Sequence, residues 1–166
     1  FKVDFMDRDD QMMTDFNFRA AEMCAKYKLL LDLHGTHKPA GLNRTYPNVL
    51  NFEGVYGLEQ AKWEDPKILD HVTYNTQLPF IRQVSGPMDY TQGAMLNSTK
   101  GNYKPNYYEP MSQGTRCNQL ALYVILESPL NMLCDNPSNY EREPECTKFT
   151  SAIPTTWDET NVIDGK

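Results

Sequence analysis

The chain has 166 residues, 40% hydrophobic and 23% charged, which is the composition of one folded domain and not of a disordered segment. Its formal charge of -6 argues against nucleic acid as a partner, because phosphate binding needs clustered Lys and Arg. No apolar run approaches the roughly 18 residues of a membrane-spanning helix, so membrane insertion is not expected, and no signal peptide is visible.

Phe1 to Met6 (FKVDFM) reads as a short strand. The chain opens directly on this run, and the expectation is that it begins inside a longer protein. Asp7, Arg8, Asp9 and Asp10 follow, an acidic stretch suited to a helix N-terminus. Met13, Phe16, Ala20, Met23, Cys24 and Tyr27 then recur at spacings of three and four, which predicts a helix running to about Lys28. Leu29 to His34 (LLLDLH) is a second strand. Strand, helix, strand implies a parallel crossover unit, with strands apolar on both faces.

From Gly35 to about Gly57 no period holds, and a loop this long in a compact domain is usually functional. Gly57 to Trp63 predicts a short helix carrying Glu59. Gly86 to Met111, with GPMDYTQGAM, reads as irregular. Gly114 to Glu127 predicts a helix with Cys117, Leu120, Ala121, Val124 and Ile125 on one stripe, stopped by Pro129. Leu130 to Cys134 (LNMLC) reads as a strand, and Tyr140 to Ala152 as a last helix with Pro144 early in it. Strands separated by helices give an α/β fold class. The polar strand ends at Asp4, His34 and Asp135 lie where parallel α/β folds place their sites. A complete (β/α)8 barrel takes about 250 residues, so the reading is part of a TIM barrel.

Cys24 and Cys117 fall on apolar helical positions and read as buried thiols; Cys134 and Cys146 are close enough in sequence to pair across a loop. No zinc spacing, nucleophile elbow, Walker A or dinucleotide fingerprint is present. The chemistry left is that of carboxylates and one histidine. Asp4 is disfavoured inside a strand, and Lys2 shares its face, so the pair reads either as a structural ion pair or as a carboxylate held at a barrel mouth. Asp7, Asp9 and Asp10 read as capping or solvated charges. His34 is either a packed residue or a donor to a substrate hydroxyl. Glu53 and Glu59, six apart and flanking Gly54 and Gly57, carry little information on spacing alone. Two carboxylates amid Tyr, Trp, Asn and Arg have the composition of a sugar site, where one acid protonates the leaving oxygen and a second carboxylate attacks or activates water.

The runs KVDFMDRDDQ, DLHGTHKPAGLNRTYPNVLNFEGVYGLE, LPFIRQVSGPMDYTQGAM, QLALYVILESPLNMLCDNPSNYE and IPTTWDET resemble the catalytic barrel of glycoside hydrolase family 97. The resemblance runs through nearly the whole chain and covers the later part of that barrel. It implies one partial (β/α)8 catalytic domain over 1–166, with a β-sandwich domain before the barrel and a smaller β domain after it lying outside this sequence. It implies that Asp4, in the K-x-D of Lys2-Val3-Asp4, matches the nucleophile of the retaining members. Glu59 matches their acid/base, Glu53 and Glu59 the ligands of a calcium ion, and His34 a sugar contact, with Lys2 beside it. Where inverting members carry a Glu base after the strand-end His, this sequence has Gly35. The implied activity is an exo-acting retaining α-galactosidase acting on an oligosaccharide or glycoside, periplasmic or secreted, with the rest of the parent chain completing the site. A β-L-arabinopyranosidase and an inverting α-glucosidase of the same family are the alternatives. A non-catalytic carbohydrate-binding fragment is the alternative of another class.

Overall fold

The computed structural model describes residues 1–60 and 69–165. Its first half is built on three parallel strands, β1 (Lys2–Val3), β2 (Leu31–Leu33) and β3 (Val49–Phe52), adjacent in that order. Lys2 pairs with Asp32 and Val3 with Leu33; Leu31 pairs with Val49 and Asp32 with Asn51, so a one-residue irregularity sits between them. Helix α1 (Gln11–Lys26) makes the first crossover, and a four-residue helix, α2 (Leu42–Thr45), lies in the second. The predicted strand–helix–strand opening is therefore present, with strands shorter than Phe1–Met6 and Leu29–His34. The predicted loop from Gly35 to Gly57 contains α2 and β3, which the sequence reading missed because RTYPNVLNF has no alternation.

The strands are not apolar on both faces. Leu31, Leu33, Val49 and Phe52 pack with Ala21 and Cys24 of α1 and Leu42 of α2. The alternate positions on either side of these carry Lys2, Asp32, Asn51 and, just past the strand ends, Asp4, His34 and Glu53. One face of the sheet is thus a core and the other a patch of charge.

Helix α1 begins where Asp10 accepts the Met13 N–H at 3.0 Å, a side-chain cap on an otherwise orphan donor. Its buried line is Met13, Asn17, Ala21 and Cys24. Phe16, Met23 and Tyr27, expected on the buried face, are exposed. The close approach of helix to sheet selects small and polar residues, and the larger ones point outward.

The second half begins with α3 (His71–Ile81), capped by Asp70, for which no element was predicted, followed by a 3-10 turn at Gln83–Ser85. Residues 87–95 then run buried from end to end outside any strand. Two further parallel strands, β4 (Leu96–Ser98) and β5 (Met111–Gln113), form a separate ribbon. Helix α4 (Arg116–Ile125) matches the predicted position but not the predicted face. Gln119, Leu122 and Tyr123 are buried, whereas Cys117, Val124 and Ile125 are exposed. The cause is the 87–95 segment, whose main-chain groups lack a ladder and need side-chain partners. Gln119 Oε1 accepts the Gly93 N–H at 3.0 Å, and the Tyr123 hydroxyl donates to Gln92 O at 3.0 Å.

Leu130 to Cys134, predicted as a strand, joins no ladder; it lies against the charged face, where Asn51 Nδ2 donates to Ser128 Oγ at 2.7 Å and to Leu130 O at 2.8 Å. The predicted last helix is two, α5 (Pro137–Arg142) and α6 (Pro144–Ala152). Pro144 cannot sit inside a helix, and it opens α6 at its first position. None of the four cysteines forms a disulfide, Cys134 and Cys146 included, and Cys117 is exposed where burial was expected. Of the predicted Gly57–Trp63 helix, residues 58–60 form a turn and the remainder lies outside the described residues.

Candidate active site

The site is built at the C-terminal ends of β1, β2 and β3. Asp4 follows β1 directly. Its Oδ1 accepts the Phe5 N–H at 2.8 Å, and its Oδ2 lies 3.0 Å from Lys2 Nζ. Burial pushes the Asp4 carboxyl up, but the Lys2 hydrogen bond, the Phe5 N–H and the charges of Lys2 and His34 outweigh it, so the group sits below the ordinary carboxylate range. The backbone turns sharply there, with Phe5 and Asp7 at φ of 57° and 47°. Such conformations strain a non-glycine residue and are held by surrounding contacts. The Asp7 N–H donates to Gly35 O at 2.7 Å, which ties this turn to the end of β2.

His34 is the centre of the arrangement. It is fully buried, yet four carboxylates surround it. Nε2 donates to Asp89 Oδ2 at 2.6 Å and lies 3.7 Å from Asp32 Oδ2. Nδ1 lies 3.0 Å from Glu53 Oε2, an ion-pair distance off the line of a hydrogen bond, and 4.0 Å from Asp4 Oδ2. Burial favours the neutral ring, but its contacts with Asp89 and Glu53 and the charges of Asp89 and Asp32 outweigh this and push its pKa up to about 10, which favours the imidazolium. Burial raises Glu53, and the His34 contacts and the Gly35 N–H lower it further than that, leaving it below its ordinary value.

Glu59 enters from the turn at 58–60. Ligand atoms of His34, Glu53 and Glu59 all lie within 4.8 Å of one another, and the charge of Glu59 reaches Lys2. The structure therefore brings all five sequence-predicted site residues, Lys2, Asp4, His34, Glu53 and Glu59, around one point. His34 Nε2 is already taken up by Asp89, which leaves Nδ1 as the ring atom turned toward Glu53. Glu53 and Glu59 offer oxygen donors of the kind that calcium takes, which would be part of the six to eight it needs. Among the described residues, the cations that Asp4, Asp32, Asp89, Glu53 and Glu59 face are Lys2 and His34, an excess of negative charge that fits a divalent ion.

Sequence reasoning missed Asp32 and Asp89. Asp32 is buried, and among the described residues neither of its oxygens accepts a hydrogen bond. Burial pushes its carboxyl up to about 6; the charge of His34 opposes this and Asp89 adds to it. Period-two alternation from His34 would have placed Asp32 on the same face. Asp89, inside GPMDYT, had no periodic signal. Arg82 was missed too. Its buried guanidinium donates to the carbonyls of Gly54, Gly86, Glu53, Pro87 and Phe52, and so fixes the end of β3 from which Glu53 projects.

A cleft of about 370 Å³, lined by Asp7, Arg8, Gly35, His37, Glu53 and Gly54 among others, opens beside this cluster. A larger groove of about 740 Å³, walled in part by Thr155, Thr156 and Trp157, has Glu127 as its carboxylate among the described residues and none of the five residues above.

Residues 1–55 match the sequence profile of Glycoside hydrolase 97. The chain is 77% identical over all 166 residues to a retaining alpha-galactosidase of Bacteroides thetaiotaomicron, of which it covers 25%. It thus spans about a quarter of the length of the curated relatives it matches. Among solved structures, it resembles a Glycoside Hydrolase Family 97 enzyme from Pseudoalteromonas sp. strain K8 in complex with acarbose, with TM-score 0.77 and 34% identity, over 95% of this chain and 23% of that one. It also resembles a beta-arabinopyranosidase, with TM-score 0.78 and 26% identity, over 99% of this chain and 26% of that one.

Proposed function

We propose, from the premise that this chain belongs to glycoside hydrolase family 97, that it supplies the catalytic carboxylates of an exo-acting retaining α-galactosidase. The observation that carries the reading is the gathering of Asp4 and Glu59, from separate segments, around the one buried His34. Retaining glycosidases need their carboxylates about 5–5.5 Å apart, one ionised to attack and the other to give and then take a proton. Asp4, held ionised by Lys2, is the nucleophile, and Glu59 is the acid and then the base. His34 would contact the sugar beside Asp4, a role that rests on the family resemblance.

Gly35 supports retention over inversion. It has φ of 56°, and a Cβ there would lie 2.8 Å from the Phe5 nitrogen. A glutamate base at this position requires residues 5 and 6 to move. Glu53 and Glu59 would hold calcium, with the remaining ligands from outside this sequence. Bound there, the ion would orient sugar hydroxyls and favour the ionised form of a neighbouring carboxylate.

In this reading β1, β2 and β3 are consecutive strands in the second half of a (β/α)8 barrel, with the charged face turned inward. A β-sandwich domain before that barrel, a smaller β domain after it and an exported location, periplasmic or secreted, belong to the same proposal and rest on the family likeness alone. The second reading is a β-L-arabinopyranosidase, favoured by the likeness to a solved beta-arabinopyranosidase. The two sugars differ by one exocyclic hydroxymethyl group. A nitrophenyl-glycoside panel on the full-length parent separates them. The α-galactoside should give the highest kcat/KM, and a β-L-arabinopyranoside or α-glucoside ahead of it would contradict the reading.

A further inference from the structure

Asp89 takes no part in the reaction as proposed, yet both of its carboxylate oxygens are held. Its main-chain N–H donates to Phe52 O at 3.1 Å, at the end of β3. Its Oδ1 accepts the Met132 N–H at 3.3 Å, and its Oδ2 accepts from His34 Nε2 at 2.6 Å. The two side chains are 0% and 1% exposed. Neither Asp89 nor His34 lines the cleft beside Gly35 and Glu53, but the His34 ring bridges them: it meets Asp89 through Nε2 and lies within ion-pair distance of Glu53 and Asp4 through Nδ1.

The two nitrogens of an imidazole are rigidly opposed, and whatever holds one decides where the other points. With Nε2 seated on Asp89, Nδ1 is left between Glu53 and Asp4, at 3.0 and 4.0 Å. We infer that Asp89 is a positioning residue, which fixes the rotation of the His34 ring through Nε2 and thereby aims Nδ1 at the space between Asp4 and Glu53. This goes beyond the glycosidase reading, and rests on it only for the reaction used as readout. The rival account is that Asp89 merely packs the buried 87–95 segment, in which case its loss would act independently of His34.

The test is a double-mutant cycle in the full-length enzyme with Asp89→Asn and His34→Ala, on whichever nitrophenyl glycoside the wild type hydrolyses. Asp89→Asn should lower kcat about ten- to hundredfold with little change in KM, as losing a partner that orients a histidine typically does. The loss should vanish in the His34→Ala background. Additive losses, or an unchanged kcat in Asp89→Asn, would overturn the inference. A second arm does not depend on turnover. The His34 Nε2 proton should resonate downfield of the amide range in the wild-type proton spectrum and disappear in Asp89→Asn. Its absence from the wild type, or its persistence in Asp89→Asn, would also overturn the inference. If Asp89→Asn does not fold, the wild-type resonance and its loss in a His34→Gln variant decide the matter. A panel in which no α-galactoside is turned over contradicts the proposed activity and leaves this arm intact.

Discussion

Asp32 shows how much one side chain can cost when its partners are charges and not donors. It is buried beside His34 and Asp89, and its carboxyl is pushed up to about 6. Unfolded, the same group titrates near 3.9. Between these values the folded state binds the extra proton, so stability falls as pH rises through that window and levels off above 6. Asp32→Asn removes the penalty. In urea titrations, the variant should gain on the order of 2 kcal/mol over the wild type at pH 8 and nothing at pH 3.5. A gain equal at both pH values would assign the effect to packing instead of charge. The same alternation that makes Asp32 a neighbour of His34 was available in LLLDLH. It went unread because a three-residue strand offers too few positions for a period to emerge.

Among the elements, placement was legible where capping and periodicity agreed, as in α1, whose cap Asp10 sits in an acidic run before the apolar repeats. Orientation was not. In α1, Phe16, Met23 and Tyr27 of the apolar stripe point outward while Met13 and Cys24 stay buried, in α4 Cys117, Val124 and Ile125 are exposed, and the buried faces carry Asn17 and Gln119. These polar residues serve main-chain groups and neighbours that a hydrophobic pattern cannot anticipate. β3 and α3 were missed for the opposite reason, since VLNF is too short and α3 contains Pro79. The end of β3 depends on Arg82, which spans Gly54 and Gly86 from the C-terminus of α3. Its partners among the described residues are carbonyls arranged in a planar fork, which an ammonium group cannot match. Arg82→Lys should therefore destabilise the chain by about 2 kcal/mol, and Arg82→Met by about 3 kcal/mol or more, read as a lower denaturation midpoint. Equal stability of all three chains would show that the fork does not hold β3.

For the whole molecule, the charged face of the sheet is the feature that the family resemblance anticipated and the strand pattern did not. The resemblance named Asp4, Glu59, His34, Glu53 and Lys2, and the fold gathers them at one set of strand ends; Asp89, thirty residues further on, needed the tertiary structure. In the proposed parent enzyme, the surplus of carboxylates predicts calcium binding that weakens about tenfold or more in Glu53→Gln, measured by calorimetry. Undiminished affinity in that variant would place the ion elsewhere. The central claim is that Asp4 attacks the sugar and that configuration is retained. Proton NMR of the full-length enzyme hydrolysing an α-galactoside tests it most directly, because the anomer released first reports the number of displacements at the anomeric carbon. The account predicts that α-galactose appears first and mutarotates afterwards; β-galactose appearing first would mean a single displacement by water, and Asp4 would not be the nucleophile.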